Sequence, residues 1–229
     1  MEHQKGTFYA VGVGPGDPEL LTRQACRILT QCEVIAAPQT ASGRMLALEI
    51  ARGAVSLEGK TILPLAFTMS HDAAAREKSY RAAAAQIEAE LRRGRSSAMV
   101  NLGDVSVYAT AYYILDLIRA DGYETVMAPG VTSFCAVAAR LGQSLTEMEQ
   151  PLQILPGSLP LDEALRLPGT KVLMKSGSAV GEAVAALERC NLLDRAALVA
   201  DCGLPTEQVY HDLRALPPEL SYFVTILVR

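Results

Sequence analysis

Nowhere in the 229 residues is there an uninterrupted apolar run of the roughly eighteen residues that a membrane span needs. The start, Met-Glu-His-Gln-Lys-Gly, also lacks the apolar core of a signal peptide. A cytoplasmic chain with no membrane partner is therefore expected. The five cysteines (Cys26, Cys32, Cys135, Cys190, Cys202) form no C-x-x-C pair, and their number is odd. They read as buried thiols in a reducing compartment. His3, His71 and His211 are too scattered for a metal-binding motif, so no protein metal site is expected. A net charge of −4 argues against a nucleic-acid partner while leaving room for a local basic pocket.

Several common active-site patterns are missing too. There is no Gly-x-Ser-x-Gly elbow for serine hydrolysis. Gly59-Lys60-Thr61 is no phosphate loop, because residue 54 is Ala and the segment leads into a strand. Gly12-Val13-Gly14 follows a strand, but a dinucleotide fingerprint would need its third glycine at position 17, which is Asp17. Pro15 removes a backbone donor there, and Asp17 with Glu19 brings negative charge where a pyrophosphate would lie. Taken alone, the loop reads either as a plain tight strand-to-helix turn or as one that suits a closely approaching cationic or zwitterionic ligand.

What is present is alternation. Strands are expected at Phe8–Val13, Glu33–Ala37 (ended by Pro38), Thr61–Leu63 (stopped by Pro64), Ala98–Asn101 and Glu124–Met127. Between them fall helices at Pro18–Thr30, Arg44–Arg52 (closed by Gly53), Asp72–Arg93 and Val107–Ala120. Such alternation means a mostly parallel sheet with both faces covered. After Pro129 the pattern changes: helices at Thr132–Leu141 and Ala179–Arg189 accompany strands at Leu152–Leu155, Lys171–Met174, Ala196–Ala200, Gln208–Asp212 and Tyr222–Val228. Short links between strands favour antiparallel pairing. The expected fold is α/β with two α/β domains, residues 1–129 with a mostly parallel sheet and residues 130–229 with a mixed one.

Three turns carry the functional signal: Val11-Gly12-Val13-Gly14-Pro15-Gly16-Asp17, Asn101-Leu102-Gly103-Asp104, and Met127-Ala128-Pro129-Gly130-Val131-Thr132-Ser133. Each follows a predicted strand, where open α/β sheets build ligand crevices. Asp104 is the sharpest candidate. A carboxylate there could instead cap the helix expected from Val107, although Ser106 is better placed to do so. Arg76 and Tyr80 lie one turn apart on the long helix with Lys78 and Arg81 nearby, and Arg44 and Lys175 sit in glycine-flanked loops. Each cation reads either as part of a solvated face or as a carboxylate-binding edge.

Together the three turns resemble the signatures of the tetrapyrrole methylases, which transfer a methyl group from S-adenosylmethionine. The Val-Gly-Val-Gly-Pro-Gly-Asp-Pro-Glu-Leu-Leu-Thr opening, Leu102-Gly103-Asp104 and Pro129-Gly130-Val131-Thr132-Ser133 are similar in order and spacing to that family's motifs. Within it, Gly103 to Tyr113 (Gly-Asp-x-x-x-Tyr-x-Thr, then a Tyr-rich helix) resembles the subgroup acting at C20 of precorrin-2 or cobalt-factor II. Val105 departs from the proline usual after the aspartate. The resemblance implies a homodimer with S-adenosylmethionine in the interdomain cleft. It implies cofactor contacts from Pro15, Leu102, Gly103, Asp104, Val107, Thr132, Ser133, Met174 and the Gly203 region. It implies a tetrapyrrole substrate whose carboxylates would meet Arg44, Arg76, Arg81 and Lys175. Asp104 is the candidate for an electrostatic or base role, with Tyr80 and Tyr108 as orienting donors. Another acceptor in the same family, and a non-catalytic tetrapyrrole carrier, stay open as alternatives.

Overall fold

The computed structural model describes residues 5–229 except 69, 71, 158 and 176, so His3 and His71 lie outside it. The chain divides into two compact units, one closing at Thr132 and the other opening at Ser133.

The first unit holds five parallel strands: β1 (Phe8–Gly12), β2 (Val34–Gln39), β3 (Thr61–Ala66), β4 (Ser97–Asn101) and β5 (Thr125–Ala128). Their order in the sheet is β3-β2-β4-β1-β5. The crossover helices are α1 (Arg23–Gln31), α2 (Leu46–Ala54), α3 (Ala73–Leu91) and α4 (Thr110–Ala120). Crossovers between parallel strands are right-handed. The leftward moves through α1 and α2 therefore cover one face, and the rightward moves through α3 and α4 cover the other. Ile87 and Leu91 of α3 pack with Ile114, Leu115 and Ile118 of α4 against Phe8 and Met99, all fully buried.

Three local expectations need correction. The first helix is broken: a 3₁₀ turn at Pro18–Leu20 precedes α1, whose cap is Thr22, accepting from Ala25 N–H at 3.0 Å. Pro38 and Pro64 do not end their strands. β3 is an edge strand, and β2 pairs with β4 only through Ala36, so neither proline removes a needed ladder donor. Gly53 lies inside α2 and does not close it; the glycine makes room for Pro18, whose Cγ would be 2.5 Å from a Cβ there. Asp72 does cap α3 as expected, accepting from Ala74 N–H at 3.0 Å.

The second unit has α5 (Ser133–Leu141), β6 (Leu152–Pro156), α6 (Leu161–Ala164), β7 (Thr170–Met174), α7 (Val180–Arg189), β8 (Ala196–Ala200), β9 (Gln208–Tyr210) and β10 (Val224–Val228). The sheet order is β6-β7-β10-β8-β9, with β6 and β7 parallel and the other pairs antiparallel, a mixed sheet as expected. α6 was not foreseen in its Pro/Gly-rich surroundings. Of the five thiols expected to be buried only Cys32 is; Cys26, Cys190 and Cys202 are half-buried, and Cys135 is exposed because α5 turns Phe134, Val137 and Ala138 inward instead. Among the described residues no helix is long and apolar enough to cross a membrane.

Candidate functional site

β1 and β4 are neighbours whose onward connections leave in opposite directions, β1 toward β2 and β4 toward β5. That is the switch point at which open parallel sheets form their crevice, beyond the carboxyl ends of the strands. All three turns singled out in the sequence gather there, held together largely by their own backbones. Val13 N–H donates to Asn101 O at 2.9 Å. Gly14 and Gly103 exchange two hydrogen bonds, at 3.3 and 2.7 Å, forming a single antiparallel bridge. Thr22 Oγ1 donates to Pro129 O at 3.3 Å. Gly12 and Gly130 are the points of closest approach: a Cβ on Gly12 would lie 2.7 Å from Gly103 O and 2.7 Å from Gly130 N.

Asp104 sits in this knot as a latch. Its Oδ1 accepts from Ser106 N–H at 2.8 Å and from Ser106 Oγ at 2.5 Å, and its Oδ2 accepts from Gly130 N–H at 2.8 Å. Burial alone would raise its pKa, but these three donors together outweigh burial and hold it below the usual carboxylate value. With donors on both oxygens and a depressed pKa, Asp104 is a poor proton acceptor at neutral pH. Of the electrostatic and base roles expected of it, the ionised carboxylate with both oxygens occupied suits the electrostatic one. Nor does it cap a helix at Val107: Tyr108 has φ +48° and α4 starts only at Thr110.

Sequence reasoning missed Asn101, the last residue of β4, only 8 % exposed. Its Nδ2 donates to the carbonyls of Leu102 (2.8 Å) and Asp104 (3.4 Å), fixing the turn from inside. A polar residue ending an apolar strand was the available signal. The valine at position 105 anchors the turn from its other side, because its side chain is buried in the core shared with α3 and α4.

One side of the knot faces open space. Gly103 has φ +74°, and a Cβ placed on it would meet no atom within 4 Å. Thr132 Oγ1 is buried and has no hydrogen-bond partner among the described residues. Pro15 is buried and Val107 half-buried along the first and second turns.

An aromatic corner lies at the same end of the unit. Phe67 follows β3, Tyr80 lies in the amino-terminal half of α3, and Tyr113 is in the first turn of α4. Tyr80 and Tyr113 stack with centroids 5.4 Å apart at 10°, and Phe67 meets Tyr80 edge-on at 6.0 Å. Tyr113 is 55 % exposed, so this corner offers a flat aromatic surface to solvent. Arg76, one turn before Tyr80, donates to Ser70 O at 3.1 Å. Arg81 is turned elsewhere: it pairs at 3.2 Å with Asp121, just past the carboxyl end of α4 and so away from Tyr113. Arg44 is held by Glu49 of α2 through three contacts of 3.0–3.3 Å.

In the second unit Met174 ends β7, and Lys175 follows in a left-handed conformation (φ +57°), its amine pushed down by desolvation. Gly203 (φ +80°) donates its N–H to Glu207 Oε2 at 2.8 Å, and Glu207 is in turn ion-paired with Arg140. Ser133 Oγ lies 3.5 Å from Thr225 Oγ1. No group of three or more His, Cys, Asp or Glu side chains among the described residues could hold a metal ion.

Residues 7–217 match the family model described as Tetrapyrrole (Corrin/Porphyrin) Methylases. A Cobalt-precorrin-2 C(20)-methyltransferase of Salmonella typhimurium (strain LT2) is 33% identical over 97% of this chain and 96% of its own. A Precorrin-2 C(20)-methyltransferase of a Sinorhizobium species is 28% identical over 97% and 95%. In fold, the chain is similar to a Uroporphyrin-III C-methyl transferase of Thermus thermophilus solved with S-adenyl homocysteine. That likeness has a TM-score of 0.71 and 22% identity, covering 97% of both chains.

Proposed function

This chain belongs to the tetrapyrrole methylase family, and we propose that it is an S-adenosylmethionine-dependent C-methyltransferase acting at C20 of precorrin-2 or cobalt-factor II in corrin-ring construction. The observation that carries this reading is the 33% identity, over nearly the whole of both chains, to a relative named for C20 methylation.

The residues present suit such a cofactor. Thr132 Oγ1 is a buried hydroxyl in want of a partner, and the open side of Gly103 gives a ligand close access to backbone. The first turn's missing donor at Pro15 suits a sulfonium better than a pyrophosphate. When bound, S-adenosylmethionine supplies an electrophilic methyl carried on a cationic sulfur. Residues 102–104 with Pro15, Val107 and Thr132 hold it in this reading. Asp104 acts through Gly130 and Ser106, keeping the turns in register.

The aromatic corner of Tyr80 and Tyr113 suits the flat face of a macrocycle, and the exposed Tyr108 is proposed as an orienting hydroxyl. Arg44, Arg76 and Lys175 are the cations proposed for its carboxylates. Arg81 is left out because it is turned toward Asp121, past the carboxyl end of α4 and away from Tyr113. The chain's work is then alignment of donor and acceptor and exclusion of water from a direct displacement. Any cobalt enters as part of the substrate. The same reading has the enzyme working in the cytoplasm as a homodimer, for which sedimentation of the purified chain should show twice the chain mass; a monomer overturns that assembly.

Incubation with methyl-labelled S-adenosylmethionine and each of the two macrocycles tests the activity. Label at C20 is the expected result. Transfer to another carbon, or tight binding of macrocycle without transfer, overturns the assignment.

A further inference from the structure

A cavity lined by residues of the second unit alone lies at the amino-terminal ends of β7 and β8, opposite the end that carries Met174. Its volume is about 490 Å3, within the range of pockets that take small organic ligands. Four cations line it, Arg166, Lys171, Arg189 and Arg195, and no Asp or Glu is among the described lining residues. In a chain of net charge −4 that is a marked local excess.

The four are not equivalent. Arg189 is already neutralised, its guanidinium held by both oxygens of Asp162 at 2.9–3.1 Å. Arg166, Lys171 and Arg195 form no side-chain hydrogen bond or ion pair among the described residues. Lys171 is the telling member. It is only 6 % exposed as a whole residue, its stem covered within the sheet, and it lines the cavity. Desolvation and the neighbouring Arg195 charge both depress its pKa. An anion arriving between these two groups would offset the repulsion between their charges. Leu165, Leu167 and Leu192 add apolar wall, so the cavity suits more than a bare ion.

We propose that this cavity is a binding site for a small organic anion bearing phosphate or carboxylate groups, held by Lys171, Arg195 and Arg166. Such a ligand would form charge-assisted hydrogen bonds to these three cations. The apolar wall would take its carbon skeleton. All of its lining residues belong to the second unit, so the proposal does not depend on what the three-turn knot binds.

Calorimetric titration of the intact chain with pyrophosphate and with citrate, against a chloride control, tests the proposal. Binding of either at millimolar concentration or below is expected, and which one binds separates a phosphate ligand from a carboxylate one. Lys171→Met preserves the volume of a buried side chain, and Arg195→Gln alters only the rim. Each should weaken that binding by about tenfold or more. If Lys171→Met fails to fold, Arg195→Gln alone decides. Absence of binding by both probes, or equal binding to wild type and the folded variants, overturns the site.

Discussion

Gly130 N–H donates to Asp104 Oδ2 at 2.8 Å, joining two turns that stand 26 residues apart in the chain. The same carboxylate holds Ser106 through its other oxygen, so one side chain fixes the second turn and docks the third on it. Asp104→Ala leaves three donors without their acceptor and should cost about 1–3 kcal/mol in unfolding free energy. Because the turns drift apart, affinity for S-adenosylhomocysteine should fall further than stability does. Calorimetric binding by a folded Asp104→Ala equal to wild type would contradict this. Acid sharpens the test. The folded pKa lies below the ordinary 3.8, so the stabilisation is complete above that value and is lost as pH falls through the folded one. The melting-temperature gap between wild type and Asp104→Ala should be constant from neutrality to about pH 5 and close below pH 3.8.

Gly103 and Gly130 are both glycines of the knot, but they should fail differently. A Cβ on Gly130 would run into the Gly103 carbonyl oxygen and sit 2.9 Å from the Gly12 backbone, which cannot move aside. Gly130→Ala should cost about 3 kcal/mol and lower the melting temperature sharply. Gly103→Ala meets no atom, so its cost is the left-handed backbone alone, about 1–2 kcal/mol. It should fold and yet bind S-adenosylhomocysteine poorly, since its new methyl points into the open side of the turn. Denaturant melts and titration on both variants distinguish the two outcomes.

The three turns were legible because glycine and proline punctuate strand ends in a way that local chemistry dictates. So were the parallel first sheet and the mixed second one, from strand spacing alone. What escaped depended on tertiary position. Pro38 and Pro64 look like strand breakers until β3 is seen at an edge and β2 half-unpaired. Gly53 reads as a helix stop until Pro18 is found against it. Asp104 was identifiable as a site residue, but the sequence could not show that both its oxygens are occupied by Ser106 and Gly130. Arg81 and Arg76 look alike on one helix, and only the fold shows that one faces Asp121.

The thiols give a chemical check on the packing. Cys32 is 2 % exposed, and burial with the neighbouring Glu33 pushes its pKa up to about 12. Cys135 is exposed on α5. Only a thiolate alkylates readily, so at neutral pH iodoacetamide should label Cys135 quickly and leave Cys32 unmodified until the chain is denatured. Peptide mass spectrometry over a time course reads this directly. Early labelling of Cys32 would contradict the packing of α1 against the sheet.

Tyr113 and Arg81 separate the aromatic corner from the rest of α3 and α4. Tyr113 stacks on Tyr80 yet is 55 % exposed, so Tyr113→Ala loses a pair worth about 0.5–1.5 kcal/mol and leaves the core intact. If the macrocycle lies on that corner, KM for the tetrapyrrole should rise about tenfold, since stacking on a lost aromatic face is worth about 1 kcal/mol or more. Affinity for S-adenosylhomocysteine should not change, because the three-turn knot is untouched. Arg81→Ala serves as the contrast. Its pair with Asp121 is roughly half exposed on both sides and worth about 1 kcal/mol at most. That variant should show wild-type KM and kcat with a slightly lower melting temperature. A KM rise in Arg81→Ala matching that of Tyr113→Ala would move the substrate off the corner and down the α3–α4 face.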